Sequence, residues 1–378
     1  MKGMRATIAL CALLAVPGQG QGVLYTAAGT VHRVDGAGNA AVLECTRVSQ
    51  IVGLEPEQLP CDLGDLVVDP KAGRYALTVD VPASFHEDGA LLASTTRLRV
   101  ANEDVALPRQ PGGGPLEGSL VVVGDLAGGR PVVMRGVPAS WRSDGRFHPQ
   151  MPMTFTRDGA GLLVVEWLGA ERARLWMVDL QAAPRWRVAL GGRVFQRITL
   201  APGSAAFEVH VAPGRVALVD IPESVDSALQ LTERHLPGTL AVAQVDDTVL
   251  SFAPGDCSAK GQGRYLRTGV SGESTGWRLA PLCSTRDTVL LVSQSRHSAF
   301  YFERQSISGP DVLFEYRVGD AVTNEYPHDP HAVRALTHDG RALALVRDGV
   351  LKVQALDGGV WWQTEVAGPA DAVRVAFF

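Results

Sequence analysis

Positive charge is scarce in this chain. Its 378 residues carry 35 Lys and Arg against 40 Asp and Glu, a net charge of −5. No Lys/Arg cluster is interleaved with aromatics, which excludes the electrostatic footprint of a nucleic-acid partner. Long apolar runs are missing too. The run Ala6–Val16 has eleven residues, and a membrane-spanning helix needs about 20. There are five cysteines and no C-x-x-C, so zinc-ribbon and thioredoxin-like chemistry has no support. There is no G-x-S-x-G. The glycine-rich stretch Gly261–Arg264 lacks the downstream Lys-Ser/Thr of a phosphate loop, and no EF-hand loop or paired carboxylate constellation stands out. No Pro-, Gln- or Ser-rich tract reads as a long disordered linker.

The chain does have turns and short apolar runs. It holds 41 Gly and 23 Pro within a composition that is 46% hydrophobic, which suits a packed globular protein rich in tight connections. The N-terminal stretch has the form of an export signal. Lys2 and Arg5 precede the apolar run, Pro17 breaks it, and small residues at 16, 18 and 20 frame a cleavage site. Residues 1–20 are therefore expected to be a signal peptide and 21–378 one domain, secreted or periplasmic. A lipid-anchoring reading of Cys11 fails because Leu10 stands where a small residue is required. Cys45, Cys61, Cys257 and Cys283 remain, an even number in an exported chain, which favours disulfides. Proximity in sequence suggests Cys45–Cys61 and Cys257–Cys283.

Asp-Gly recurs at 35–36, 88–89, 144–145, 158–159, 339–340, 348–349 and 357–358. Between short apolar runs this dipeptide marks hairpins. After Gly340 the run ALALV is almost wholly apolar, as for a strand covered on both faces. After Gly349 the run VLKVQAL alternates, as for a half-exposed one. The same order appears in TRDGAGLLVVEWLGAERARLWMVDL at 156–180. Turn residues before successive buried runs (Gly22, Gly73, Gly118, Gly161, Gly203, Asp247, Asp287 and Gly340) recur about every 45 residues, the repeat length of a four-stranded propeller blade.

The T-x-D-G turn, the buried run and the following strand at 156–180 and 337–357 resemble the repeat of TolB-like and WD40-like β-propellers. The Trp-Asp and Gly-His signatures of true WD40 blades are absent. That resemblance implies an all-β, single β-propeller. Its two ends fit together: DAVRVAFF at 371–378 is an alternating strand with nothing after it, and GVLYTAAG at 22–29 is a buried run with no inner strand before it. Pairing them closes the ring, since an open one would leave unpaired edges. The count is eight blades, or seven if 100–140 is an insertion.

The densest polar segment is NEYPHDPHAVRALTHDG at 324–340. Glu325, His328, Asp329 and His331 are its candidate binding residues, because His-x-x-His flanked by carboxylates suits a divalent cation or acid–base work. The plainer role of such a loop is a solvated connection between blades. Trp361 and Trp362 are consecutive, so alternation sends one ring between blades and the other outward. No cofactor is implied. The expected function is that of a monomeric, non-catalytic binding or scaffold module for a protein, peptide or glycan partner in the cell envelope, without membrane span. The alternative is an enzyme with a funnel site, a metal-dependent hydrolase or lactonase.

Overall fold

The computed structural model describes residues 22–35, 38–52, 62–69, 71–80, 97–100, 103–106, 119–129, 131–135, 152–167, 172–181, 185–212, 215–235, 242–253, 263–268, 274–280, 291–304, 311–318, 323–326, 332–369 and 372–378. The chain starts with β1 (Val23–Ala27), β2 (Thr30–Asp35) and β3 (Gly38–Glu44), followed by helix α1 (Cys45–Val52). Next come β4 (Asp62–Asp69), β5 (Arg74–Asp80), a hairpin of β6 (Arg97–Val100) and β7 (Glu103–Ala106), then β8 (Ser119–Asp125) and β9 (Val132–Arg135). Five regular four-strand units follow. They are β10–β13 (Met153–Phe155, Gly161–Trp167, Ala173–Asp179, Arg185–Val188), β14–β17 (Arg197–Thr199, Ala206–Ala212, Arg215–Asp220, Leu231–His235), β18–β21 (Val242–Val245, Thr248–Ala253, Gly263–Thr268, Ser274–Ala280), β22–β25 (Leu291–Ser293, Ser298–Arg304, Asp311–Arg317, Thr323–Tyr326) and β26–β29 (Val333–Leu336, Ala342–Arg347, Val350–Ala355, Val360–Glu365). The last strand is β30 (Val375–Phe377).

These strands form seven four-stranded antiparallel sheets and the β6–β7 ribbon. The first sheet has the order β30-β1-β2-β3, the second β4-β5-β8-β9, and the third to seventh are the five regular units. The architecture is an all-β propeller. Its core is divided among clusters of buried apolar side chains, each shared by two successive sheets. Leu24 and Val31 of the first sheet meet Leu77 and Val122 of the second. The pattern continues sheet by sheet until Ala344 and Val353 of the seventh meet Val23, Tyr25, Val375 and Phe377 of the first.

Residue patterning explains the strands. In β11 the residues Leu162 to Val165 are all buried, because alternate side chains enter the cores on either side. In β28, Leu351 and Val353 are buried while Lys352 and Gln354 are half-exposed, as the alternation in VLKVQAL requires. The terminal strands meet as the sequence suggests. Val23 pairs with Phe377 and Tyr25 with Val375. Gly22 and Phe378 exchange backbone hydrogen bonds of 2.8 and 3.0 Å.

Three expectations change. The run after Gly118 does not open a sheet of its own; β8 pairs with β5 as the third strand of the second sheet. The excursion lies between β5 and β8 rather than over 100–140. Helix α1 was not anticipated. Its Cys45 and Val48 are three apart, share one face and are buried against the first cluster. Trp361 and Trp362 do not point to opposite faces. Val353 pairs with Trp362 and Gln354 with Val360, so Trp361 is the extra residue of a bulge, and both rings pack on the same cluster. No helix among the described residues is long and apolar enough to cross a membrane.

Candidate binding face

The repeated T-x-D-G motif builds a turn. Thr156 Oγ1 donates to Asp158 Oδ1 (2.6 Å) and accepts from the Gly161 amide (2.9 Å), while the Ala160 amide donates to Asp158 Oδ1 (2.9 Å). Thr337, Asp339, Arg341 and Ala342 repeat the arrangement at 2.7–3.1 Å. Gly159 and Gly340 have φ of +71° and +66°, where a side chain is strained. They also touch the preceding sheet. A Cβ on Gly159 would lie 2.0 Å from Asp69 Oδ2, and one on Gly340 2.3 Å from Arg296 Cδ. Asp-Gly puts both residues at positive φ only at 348–349, among the described copies. The motif is thus chiefly a device that locks one sheet onto the next.

Turns between the first and second strands of sheets four to seven are linked into one polar surface. Gln294, in the β22–β23 turn, donates to the carbonyls of Gly203 (3.1 Å) and Gln244 (2.9 Å) and accepts from the Asp246 amide (3.1 Å). The Val292 amide donates to the Pro202 carbonyl at 2.8 Å, so the turn of the fourth sheet reaches past the fifth to the sixth. Ser293 and Ser295 donate to the His338 carbonyl of the seventh at 3.2 and 2.6 Å. One glutamine and two serines therefore tie four turns together, leaving those turns little freedom to move.

On this surface His297 Nδ1 lies 2.5 Å from Asp246 Oδ2, both side chains exposed. Ionised carboxylates only accept, so the ring proton sits on Nδ1 and Nε2 is left for solvent or a ligand. Both residues have positive φ, +49° and +52°. Asp and His tolerate that region better than most residues. Such positions concentrate at functional sites. His338 is exposed on the same set of turns.

Beneath it lies a buried carboxylate. Glu315 in β24 is fully buried. It accepts hydrogen bonds from Arg296 Nε (3.1 Å) and Nη2 (3.2 Å), Arg317 Nε (3.2 Å), Ser298 Oγ (2.9 Å), Asn324 Nδ2 (3.1 Å) and Tyr326 Oη (2.6 Å). Burial alone would raise its pKa. The hydrogen bonds from Tyr326, Asn324 and Ser298 and the charge of Arg296 overcome this and hold it down to about 2. Burial, then the bond to Glu315, pushes the Tyr326 phenol up to about 12. Glu166 is a simpler case, buried against Arg174 and accepting from Trp176 Nε1 at 2.7 Å. Glu208 accepts from Thr199 at 3.0 Å and pairs with His210. Each stands in an apolar run (VVEW, FEVH, LFEYR), and that is the signal in the sequence by which a buried, paired carboxylate is recognisable.

Of the four residues expected to bind, only Glu325 is described. It is exposed on β25, opposite Phe314. His328, Asp329 and His331 lie outside the described residues, as do residues 1–20, Cys61, Cys257 and Cys283. Cys45 is disulfide-bonded. Among the described residues, no three His, Cys, Asp or Glu side chains form a group able to hold a metal. Asp246, Gln294 and His297 carry no local motif. Asp246 and His297 are 51 residues apart and meet only because their sheets are neighbours.

No protein-family model matches the sequence, and no curated protein does. Solved structures do. A Bacteroides fragilis protein described as a candidate 6-phosphogluconolactonase aligns over 95% of this chain and 98% of its own, with 8% identity and a TM-score of 0.52. TolB from Acinetobacter baumannii aligns over 83% of this chain and 82% of its own, with 12% identity and a TM-score of 0.42. The acylaminoacyl peptidase of Pyrococcus horikoshii gives 10% identity and a TM-score of 0.47 over 82% of this chain, which spans only 46% of that one. At these identities the likeness is one of fold.

Proposed function

We propose that this chain is an exported, non-catalytic β-propeller of seven blades that binds a protein, peptide or glycan partner in the cell envelope. The closed ring is supported by the β1–β30 pairing and by the cluster shared between the seventh and first sheets. Export is supported by the charged and apolar leader, with Cys45–Cys61 and Cys257–Cys283 as the proposed bridges. N-terminal sequencing of exported protein should give a start near residue 21, and non-reducing peptide mapping should recover both pairs. Four free thiols in such material would overturn the export reading.

The binding reading rests mainly on the cross-linked turn surface. Gln294 and the two serines fix four turns before any partner arrives, so the ordering cost of binding is small. Asp246, His297 and His338 present donors and acceptors in fixed positions. Affinity capture from the native envelope by the parent protein should retain a discrete partner, and Asp246→Ala/His297→Ala should lose it while still unfolding cooperatively, at a midpoint lowered by the strain of alanine at positive φ. Equal retention by the variant would move the site elsewhere. The enzymatic alternative is favoured by the same pair, because Nε2 opposite an Asp-bound Nδ1 suits a general base. Hydrolysis of lactone or ester substrates that disappears in His297→Ala would establish it.

A further inference from the structure

Glu315 is surrounded by more positive charge than it neutralises. Its two oxygens are saturated by the donors described above, and the two guanidiniums it holds carry twice its charge. Arg296 spends Nε and Nη2 on the carboxylate, and Arg317 spends Nε. Among the described residues, Arg296 Nη1 and both Nη groups of Arg317 have no hydrogen-bond partner, and no second carboxylate pairs with either residue. The two side chains are 22% and 38% exposed. They are thus partly withdrawn from water and yet open to a ligand.

The surroundings hold this arrangement in place. Arg296 runs over Gly340, where a Cβ would come within 2.3 Å of its Cδ and 2.7 Å of Ser293 Oγ. Any side chain at 340 would displace it. Arg317 leaves the end of β24 two residues beyond its anchor, paired in register with Ser298, which donates to the same carboxylate. A guanidinium fixed through one edge presents its remaining N–H groups as a planar fork. That fork matches the two oxygens of a carboxylate or phosphate. The usual entropy cost of ordering an arginine is already met within the folded protein.

We infer that Arg317 and Arg296 form a seat for an oxyanion, a carboxylate or phosphate group, at the junction of the sixth and seventh sheets. The seat deepens the binding-face reading, because it names an anionic group as what the partner presents there. Glu315 holds the two arginines in position and does not touch the ligand. The positive charge that the described residues leave uncompensated supplies the attraction.

The test uses inorganic phosphate and succinate as separate probes, titrated calorimetrically into the full-length protein at low ionic strength, with chloride as the control anion. Saturable binding of at least one probe in the millimolar range is expected. Arg317→Ala should weaken it at least tenfold, as should Arg317→Gln, which retains a shorter donor and guards against loss of folding. Arg347→Ala, which removes the same charge from another exposed position, should leave it unchanged. A preference between the two probes then assigns the natural group to phosphate or carboxylate. No saturable binding of either probe at about 10 mM, or equal weakening by Arg347→Ala and Arg317→Ala, would overturn the seat. Asp246→Ala/His297→Ala should bind the probes like the parent. Loss of partner capture in that variant with probe binding intact separates the two proposals, and so does capture that survives Arg317→Ala.

Discussion

A chain ending at Ala370 should lose its cooperative unfolding transition and aggregate. The deleted residues include Val373, Val375 and Phe377, all buried in the cluster between the seventh and first sheets. At roughly 1.5–3 kcal/mol for each large buried side chain, their loss removes about 5–9 kcal/mol. That is comparable with the whole stability of a typical domain. Truncation also strips β1 of its only neighbour besides β2. It leaves the Gly22 and Thr26 amides, now bonded to Phe378 and Arg374, without partners. Because β30 touches both β26 and β4, its removal exposes strand edges and apolar surface on either side of the gap, the condition under which sheets pair between molecules. Solubility, oligomeric state and a denaturant transition of residues 1–370 against full length provide the measurement. A soluble monomer with an unchanged midpoint would mean that the terminal strand is an ornament on a sheet stack that stands without it, and the closed-ring proposal would fall.

Both ends of that strand pairing were legible in the sequence because each half is an unmatched pattern: DAVRVAFF alternates with nothing to pair against, and GVLYTAAG is buried without an inner strand. The β10–β12 and β26–β28 hairpins were legible for a similar reason, since Asp-Gly and the change from continuous to alternating apolar residues act within one hairpin. The count of repeats was not. Gly118 follows a glycine-rich tract and precedes an apolar run, which is also how a new sheet begins. Only the long-range pairing of β8 with β5 reveals an excursion instead, and a period near 45 residues accommodates either. The two tryptophans mislead because a single bulge shifts the side-chain phase by one residue, and nothing in VWWQTE announces it. The polar face was hidden for a different reason. Asp246, Gln294 and His338 come from turns of three different sheets, so their proximity is a product of assembly around the ring. Buried Glu315 was the exception that composition could have flagged: a lone carboxylate in VLFEYR must find partners or remain protonated.

Replacing that carboxylate should therefore produce the largest single-residue effect in the described structure. Glu315→Gln keeps the side-chain volume but removes the charge on which Arg296, Arg317, Ser298, Asn324 and Tyr326 converge. Two partly buried guanidiniums are left without an anion among the described residues, and breaking such a pair from one side costs about 3–5 kcal/mol. The acid limb of the stability curve should change with it. In the folded parent the carboxyl is held near 2 against an ordinary value of 4.5, so between those two pH values the unfolded chain takes up a proton that the folded chain refuses. The contribution is fully present above about 4.5 and drains away as pH falls towards 2. It amounts to about 3 kcal/mol by the linkage between pKa and stability. Gln cannot titrate, so the variant should be much less stable at pH 7 and should lose less of what remains on going to pH 3. Urea unfolding of both proteins at the two pH values reads this difference directly. A variant that unfolds like the parent at pH 7, or that shows the same acid dependence, would place the electrostatic anchor of the sixth and seventh sheets somewhere other than Glu315. It would also remove the support beneath the two arginines proposed to receive the anion.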